Sequence, residues 1–333
     1  MADTTATGGA RKGMRFDLQV LGPILALVLL IVIGTLLNPD FLAPRNITNV
    51  LSRSAFIGII AVGMTFVITA GGLDLSVGSM AAFIAGLMIL VMNAALPTLG
   101  VGVPIILLGM ATALAAGLIA GLINGFLITT LGIEAFIVTL GTMGIYRSLV
   151  TWLADGGTLS LDFGLRTFYR PVYFDGILGI SWPIIVFALV VIGGEILMSR
   201  SRFGRHCAAT GSNEHVAHYS NVNVNRTRLF TYAMLGMLVG VATIMYVPRL
   251  GSASASTGVL WELEAIAAVI IGGTVLKGGF GRVWGTVIGV LILSMIDNIL
   301  NLTDLVSPYL NGAIQGVIIV LAVILQREAK AKG

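Results

Sequence analysis

The chain has 333 residues, of which 57% are hydrophobic and 10% are charged, and its mean hydropathy is +1.00. A soluble domain carries about 25% charged residues, so this chain has too few of them to cover a water-facing surface. The single cysteine, Cys207, excludes an internal disulfide and a cysteine-rich metal site. We therefore expect an integral membrane protein, and we read its net charge of +4 as a topology signal rather than as affinity for nucleic acid.

Ten apolar runs follow one another along the chain, and a bilayer-spanning helix needs about 20 such residues. They cover residues 18–37, 55–70, 79–96, 101–129, 135–153, 182–198, 229–247, 265–276, 285–302 and 309–325. The runs are continuous rather than alternating, which is typical of helices and not of barrel strands. The sequence predicts an all-α membrane protein of about ten transmembrane helices, with one domain over 18–326 and tails at 1–17 and 327–333.

Lysine and arginine collect in cytoplasmic loops, so their positions test the number of spans. With the N-terminus inside, ten spans put thirteen of these residues in the cytoplasm and five outside, namely Arg45, Arg53, Arg166, Arg170 and Arg249. Both termini are therefore predicted to be cytoplasmic. The longest cytoplasmic segment is residues 199–228, whereas residues 277–282 form either a cytoplasmic loop or a re-entrant turn.

Small residues four positions apart recur in several spans. The stripes are Gly117, Gly121 and Gly125; Gly236 and Gly240; and Gly281, Gly285 and Gly289. Such spacing lets helix backbones approach closely inside a membrane. We expect tight packing at each stripe, with pore lining as the alternative.

A weak internal repeat links two parts of the chain. Gly78, Ala82 and Gly86 recur 203 positions later as Gly281, Gly285 and Gly289, and the glycine pairs Gly71-Gly72 and Gly272-Gly273 precede the two copies. Repeats with glycine-interrupted helices indicate a transport site near the membrane midplane.

The first of these breaks, residues 70–79, is polar and contains Asp74 and Ser76. A charged residue is costly inside a helix in the membrane, so Asp74 is expected at a helix end, beside water or with partners. Three roles remain open for this break: capping of the next helix by Asp74 or Ser76, contact with a transported solute, and proton coupling.

Residues 199–228 combine arginines with a short helical pattern. Gly211-Ser212 followed by Asn213 and Glu214 predicts the start of a cytoplasmic helix, in which Val216 and Tyr219 are exposed. This segment is either a solvated loop or a docking site for a soluble partner. His215 and His218 lie one turn apart, but their neighbours do not complete a metal site, so we expect no metal.

Nucleotide hydrolysis is not expected of this chain, because residues 273–279 lack the order of a phosphate-binding loop. Among the other ionisable residues in apolar segments, Glu134 and Glu195 lie near predicted helix ends, and Arg147 and Asp297 lie deeper. Arg147 and Asp297 are either functional residues or members of structural pairs.

Residues 63–79, with the sequence GMTFVITAGGLDLSVGS, resemble the signature of permease subunits of monosaccharide ABC importers of the ribose, xylose, arabinose and galactose type. Residues 41–49, 121–125, 204–224 and 262–281 agree with the same family. The resemblance covers nearly the whole chain beyond residue 17. One departure is Asn221, where the family commonly has glycine; asparagine tolerates a left-handed backbone better than most residues.

The resemblance implies a type II-like importer in a bacterial inner membrane that moves a monosaccharide or similar polyol by alternating access. Its partners would be a separate ATPase subunit with two nucleotide-binding domains, which binds ATP and Mg, a periplasmic sugar-binding protein, and a second permease subunit, either in a homodimer or in a heterodimer with a related chain. No cofactor is expected in this chain.

Two sets of site residues follow from the resemblance. Coupling to the ATPase is expected from Gly204, Gly211, Ser212, Asn213, Glu214, His215, Ala217 and Ser220. The translocation pathway is expected to include Gly71, Gly72, Asp74, Ser76, Asn124, Gly272 and Gly273. Three alternatives remain: an ion-coupled secondary transporter of a small polar solute, an intramembrane enzyme that pairs Asp74 with Asp297, and a purely structural scaffold.

Overall fold

The computed structural model describes residues 18–303, 310, 312–314, 316–317 and 320. The α-helices of this described part are α1 Leu18–Leu37, α2 Pro44–Thr69, α3 Val77–Leu99, α4 Val103–Thr129, α5 Ala135–Leu153, α6 Phe163–Tyr169, α7 Pro171–Phe174, α8 Trp182–Arg200, α9 Arg202–Ser212, α10 Glu214–Tyr219, α11 Val224–Leu250, α12 Trp261–Ile271 and α13 Val283–Thr303. The predicted tails at 1–17 and 327–333, and most of the predicted span at 309–325, lie outside the described residues.

Seven of the described helices are long and apolar enough to cross a membrane: α2, α3, α4, α5, α8, α11 and α13. Helix α1 contributes a shorter apolar stretch, Gly22–Leu37. The prediction of a helical membrane protein is therefore confirmed.

The predicted span at 265–276 is wrong as a full crossing. Helix α12 has 11 residues and ends at Ile271, so it is only about 16 Å long, roughly half the thickness of a bilayer core. Gly272 and Gly273 follow the helix and open a turn that leads into α13.

The expectation of a purely helical chain also needs correction, since the structure contains four short strands. Strand β1 Thr158–Ser160 pairs antiparallel with β4 Ser252–Ser254, and β2 Gly176–Ile177 pairs with β3 Ile180–Ser181. They lie in the long connections that flank the helices, where two- and three-residue strands carry too little pattern to be predicted.

The centre of the bundle is α2. It begins with Pro44, whose fixed φ suits the first helical position, and its second half is almost completely buried, including Ile60, Met64 and Phe66. Helices α1, α4, α5 and α8 instead expose large apolar side chains, among them Leu25, Leu107, Ile137 and Leu189. Because lipid is apolar, this exposed surface is that of a bundle built for a membrane.

The glycine stripes pack helices together, as the first reading of each stripe predicted. A Cβ added at Gly117 would collide with the carbonyl oxygen of Gly236, and one at Gly236 would collide with that of Gly117. A Cβ at Gly121 would meet Tyr232 O in the same way, and so α4 and α11 touch backbone to backbone. Gly285 is packed equally closely against Gly272, which joins α13 to α12.

Helices α9 and α10 lie at one end of the bundle, together with the breaks after α2 and after α12. Strands β1 and β4 and the segment 251–260 lie along α3 toward the opposite end of α11, where Leu161 N donates to Gly251 O at 2.9 Å. The α9–α10 end carries exposed Arg200, Arg202, Arg205, Arg226, Lys277 and Arg282, and we call it the basic end.

Candidate coupling surface and transport site

The segment between α8 and α11 folds as two short helices that are separated by an asparagine cap. Ser201 Oγ accepts from Gly204 N at 3.1 Å at the start of α9, and Asn213 Oδ1 accepts from Val216 N at 3.1 Å at the start of α10. Gly211 and Ser212 form the last turn of α9. The prediction that they begin a helix was therefore wrong, whereas the cap and the short helix after it are confirmed.

Asn221 ends α10 in a left-handed conformation, with φ of +61°. This geometry lets Val222 N donate to Ala217 O and Asn221 N donate to His218 O, both at 3.0 Å. The turn is the usual glycine-type ending of a helix. The asparagine therefore occupies the conformation that the family's glycine would adopt.

The predicted coupling residues differ in exposure. Gly204 and Ala217 are buried, Gly204 packs against Met198 O, and Gly211 is half-buried. The exposed members are Ser212, Asn213, Glu214, His215 and Ser220. Glu214 is held by a 2.8 Å ion pair with Arg228 on α11, which ties the start of α10 to the bundle.

Two apolar side chains stand out on α10, as the sequence predicted. Val216 is 59% exposed and Tyr219 is 89% exposed, on a helix of six residues at the basic end. Large apolar side chains that point away from their own chain indicate a protein contact, and tyrosine is enriched at such contacts.

Gly211 connects α9 to both helix breaks. A Cβ added there would collide with Thr69 O, at the end of α2, and would lie 2.6 Å from Gly279 N, in the turn before α13. The same two groups bond to each other, since Gly279 N donates to Thr69 O at 2.9 Å. A Cβ at Gly278 would lie 3.0 Å from Cα of Gly211 and of Gly71, so three glycine-rich segments meet at one point.

Asp74, Ser76 and Asn124 form a closed polar cluster beside this junction, and all three are fully buried. Asp74 Oδ1 accepts from Ser76 N at 2.7 Å and from Ser76 Oγ at 2.6 Å. Asn124 Nδ2, on α4, donates to Asp74 Oδ2 at 3.1 Å and to Ser76 Oγ at 2.9 Å. The expectation that Asp74 has partners is confirmed.

Capping of α3 takes a different form from either predicted version. Ser76 precedes the helix but its side chain makes no capping hydrogen bond, and Asp74 accepts from Ser76 N rather than from an N–H inside α3. Asp74 thus stabilises the turn before the helix. The cluster links this turn to α4, since Asn124 lies 50 residues away in the sequence.

Tyr232 on α11 is a member of this region that sequence reasoning missed. Its hydroxyl donates to Leu73 O at 3.0 Å and accepts from Leu73 N at 3.2 Å, which anchors the extended segment between α2 and α3. A Cβ on Gly72 would lie 2.6 Å from the same hydroxyl. A lone tyrosine in an apolar helix gives no sequence signal for such a contact.

Arg147 on α5 holds the segment that replaces the missing half of α12. Its Nη1 donates to Ala255 O at 2.6 Å and to Thr257 O at 2.5 Å. These carbonyls belong to the turns at residues 255–260, between β4 and α12. The structure therefore gives Arg147 partners of the structural kind, although these are backbone oxygens. Asp297 is half-buried on α13, where its backbone carbonyl accepts from Asn301 Nδ2.

Not all the predicted pathway residues meet. Gly71 and Gly72 lie at the glycine junction, and the Asp74 cluster lies beside it, but Gly272 is packed between α12 and α13 against Gly285. Gly273 follows with φ of +89° and begins the turn toward Gly278. The two breaks therefore make contact through the turns that follow them.

Comparison with known proteins identifies the family. The family model described as "Branched-chain amino acid transport system / permease component" matches residues 46–323. The chain belongs to this permease family. The ribose import permease protein of Bacillus subtilis (strain 168) is 40% identical over 327 residues, which cover 96% of this chain and 97% of that protein.

Two further relatives resemble the chain over its whole length. The ribose import permease protein of Escherichia coli (strain K12) is 34% identical over 333 residues, covering 98% of this chain and 99% of that protein. The xylose transport system permease protein of the same organism is 30% identical over 386 residues, covering 98% and 96%. A permease has to present surfaces to lipid and to other subunits, which accounts for the exposed apolar faces of α4, α5 and α8.

Proposed function

We propose that this chain is the transmembrane permease subunit of an ATP-binding-cassette importer that moves a monosaccharide or similar polyol into the cell. The relatives named as ribose and xylose permeases support the substrate class. ATP and Mg are bound by a separate ATPase with two nucleotide-binding domains, and a periplasmic sugar-binding protein delivers the solute. This chain itself needs no cofactor or metal.

The observation that carries the mechanism is the contact of α9 with both helix breaks. Gly211 touches the end of α2 and the turn before α13 with no side chain in between. A displacement of α9 and α10 by the ATPase is therefore transmitted directly to the segments that precede α3 and α13. Alternating access follows from such a rigid-body movement, in which the bundle switches between two packed arrangements.

The α10 helix is the proposed docking element. Val216 and Tyr219 provide its apolar contacts, while Asn213, Glu214, His215 and Ser220 surround them with polar groups. The ion pair of Glu214 with Arg228 keeps α10 aligned with α11, so that a push on α10 moves α11 as well.

The basic end faces the cytoplasm in this proposal, because arginine and lysine concentrate in cytoplasmic segments. Both termini are then cytoplasmic, and the chain crosses the inner membrane about ten times, with α12 and the segment before it sharing one crossing. The repeat of glycine-interrupted helices around α3 and α13 supports a shared ancestry of the two breaks.

A second copy of the permease completes the transport path. Helix α5 supports this arrangement, since Gly141, Gly144 and Ser148 lie on one exposed face with Ile145 and Trp152 beside them. A Cβ at either glycine would meet no described atom within 4 Å. Small residues on an exposed face allow another helix to approach closely.

Gly71, Gly72, Asp74, Ser76, Asn124, Gly272 and Gly273 are the proposed pathway residues. The Asp74 cluster is sealed in the described conformation, so its contact with solute requires the segment 73–76 to separate from α4. Movement of the glycine junction provides that separation.

The test is a reconstituted importer with Val216→Ala and Tyr219→Ala together. Truncating two central apolar contacts costs about 2 kcal/mol or more at a protein interface, so ATPase binding is expected to fall at least about thirtyfold. The matched control is Phe163→Ala, which removes an 83% exposed aromatic side chain between α5 and α8, toward the opposite end. ATPase binding and sugar-stimulated hydrolysis equal to the wild type in the double variant would refute the docking assignment.

A further inference from the structure

A cleft of about 320 Å³ opens on the side of the basic end, between α8, the first turns of α9 and the turn before α13. Its polar lining residues are Thr69 from the end of α2, Glu195 and Ser199 from α8, Arg205 from α9 and Arg282 beside α13. Phe280 and Trp284 are its aromatic lining residues. The docking side chains Val216 and Tyr219 are not among its lining residues.

Two arginines line this one small cleft. Arg205 and Arg282 are both exposed, Arg205 donates to Arg200 O at 3.4 Å, and Arg282 lies over the ring of Phe280 at 5.0 Å. An arginine has five N–H donors in a planar fork that matches the oxygens of a phosphate. The N-terminus of α13, a helix of 21 residues, lies beside them at Val283 and adds a partial positive charge.

The surroundings of the cleft indicate a lipid phosphate rather than a soluble one. Trp284 and Phe280 are 55% and 40% exposed, and such aromatic side chains favour the membrane interface. Ile196 and Ile192, one and two turns into α8 from its end, expose more than half of their side chains and continue the surface toward the middle of the span. A headgroup in the cleft would therefore have an apolar surface for its acyl chains.

We propose that this cleft binds the phosphate headgroup of an anionic phospholipid, with Arg205 and Arg282 as its ligands. Basic pockets between helices at the cytoplasmic side of a membrane are suited to such headgroups. The proposal rests on the cytoplasmic placement of the basic end, but not on the ATPase or on the sugar.

Glu195 gives the proposal a second, opposite test. Its Oε2 accepts from Trp284 N at 3.3 Å at the start of α13, so a carboxylate faces the same cleft. A negative charge there repels a phosphate. Glutamine retains the oxygen that accepts from Trp284 N and removes the charge, so Glu195→Gln is expected to bind anionic lipid several-fold more tightly.

The experiment is a titration of delipidated, purified permease with phosphatidylglycerol or phosphatidylcholine, read by native mass spectrometry. We expect phosphatidylglycerol to bind at least tenfold more tightly, and Arg205→Gln with Arg282→Gln to lose at least tenfold of that affinity. Arg226→Gln is the matched control, because Arg226 is an exposed arginine of the basic end outside the cleft, and it should leave the affinity unchanged. Size-exclusion profiles and melting temperatures verify that each variant is folded.

Several outcomes would overturn the proposal. They are equal binding of the two lipids, a double variant that binds like the wild type, a loss in Arg226→Gln as large as in the double variant, and no gain in Glu195→Gln. An additional arm adds inorganic phosphate, and displacement of the lipid at equal concentration would assign the cleft to a free anion instead. If the double variant does not fold, Arg205→Gln alone and the gain in Glu195→Gln still decide the question, since misfolding does not increase affinity. None of these results depends on transport, so failure here and failure of the proposed function are separable.

Discussion

Replacing Asp74 by leucine tests the polar cluster that links the first helix break to α4. The change removes the acceptor of three hydrogen bonds, two from Ser76 and one from Asn124. Such bonds contribute about 0.6 kcal/mol on average in membrane proteins and up to about 1.7 kcal/mol. Because the cluster is fully buried, the donors on Ser76 and Asn124 would then have no acceptor, neither protein nor water. Leucine is also larger than aspartate, so the surrounding side chains have to shift. We expect the free energy of unfolding to fall by about 2–5 kcal/mol.

Asparagine at the same position is the matched control. Its carbonyl oxygen still accepts both bonds from Ser76, and its amide nitrogen would face Asn124. Asn124 Oδ1 is a buried atom with no hydrogen-bond partner among the described residues, so a rotation of that amide by half a turn supplies the missing acceptor, with loss of the one bond from Asn124 Nδ2 to Ser76 Oγ. Asp74→Asn is therefore expected to cost no more than about 1 kcal/mol.

The assay is unfolding in mixed micelles by titration with sodium dodecyl sulfate, followed by tryptophan fluorescence. Asn124→Leu alone and together with Asp74→Leu completes a double-mutant cycle, and a coupling energy is expected because the two side chains touch. The reasoning is refuted if Asp74→Leu unfolds like the wild type, or if Asp74→Asn is as unstable as Asp74→Leu. The second result would mean that the charge of Asp74, and not its bonds, stabilises the break.

Three other perturbations have defined outcomes. Gly211→Ala places a Cβ against the backbone of the glycine junction and should lower sugar-stimulated ATP hydrolysis at least fivefold. The control is Gly193→Ala on α8, whose new Cβ would have no atom within 4 Å and should leave hydrolysis unchanged. Equal activities of the two variants would contradict the coupling path. Asn221→Val should lower stability by about 1–2 kcal/mol in a thermal melt because a β-branched residue resists a φ of +61°, and Asn221→Gly should match the wild type. Burial raises the pKa of the Cys207 thiol to about 12, so the reactive thiolate is scarce at pH 7.5 and increases only as the pH approaches that value. Maleimide should thus label Cys207 in dodecyl sulfate but not in the folded protein, and rapid labelling of the folded protein would refute the burial.

The membrane class, the helices and their breaks could be read from the chain, because these depend on local composition. Continuous apolar runs predict helices whatever their neighbours are, and the pairs Gly71-Gly72 and Gly272-Gly273 follow helix ends, whereas Gly193-Gly194 lies inside the unbroken α8. The cap at Asn213 and the exposed Val216 and Tyr219 were predictable for the same reason, since each involves residues within a few positions of one another. The left-handed Asn221 was expected only from the resemblance, because the family commonly has glycine there.

The true length of α12 was not predictable in this way. Residues 265–276 are as apolar as a span, but Gly272 and Gly273 end the helix early, and strand β4 with the turns at 255–260 precedes it in place of further helix. That segment is possible inside the bundle because Arg147, more than a hundred residues earlier, donates to two of its carbonyl oxygens. A carbonyl at membrane depth requires such a donor, and a linear pattern does not show which residue provides it.

The features of the candidate site also fall into those that the local sequence predicts and those that depend on contacts between distant segments. The sequence identifies Asp74 and Ser76 as polar residues in an apolar stretch, and it identifies Gly211 as a neighbour of a helix N-cap. Three contacts were decided by packing, because each joins segments far apart in the chain. They are the bond of Asp74 to Asn124, the bonds of Tyr232 to Leu73, and the packing of Gly211 against Thr69 and Gly279. Local preferences act over a few residues through backbone and side-chain sterics, whereas these contacts exist only when separate helices are brought together.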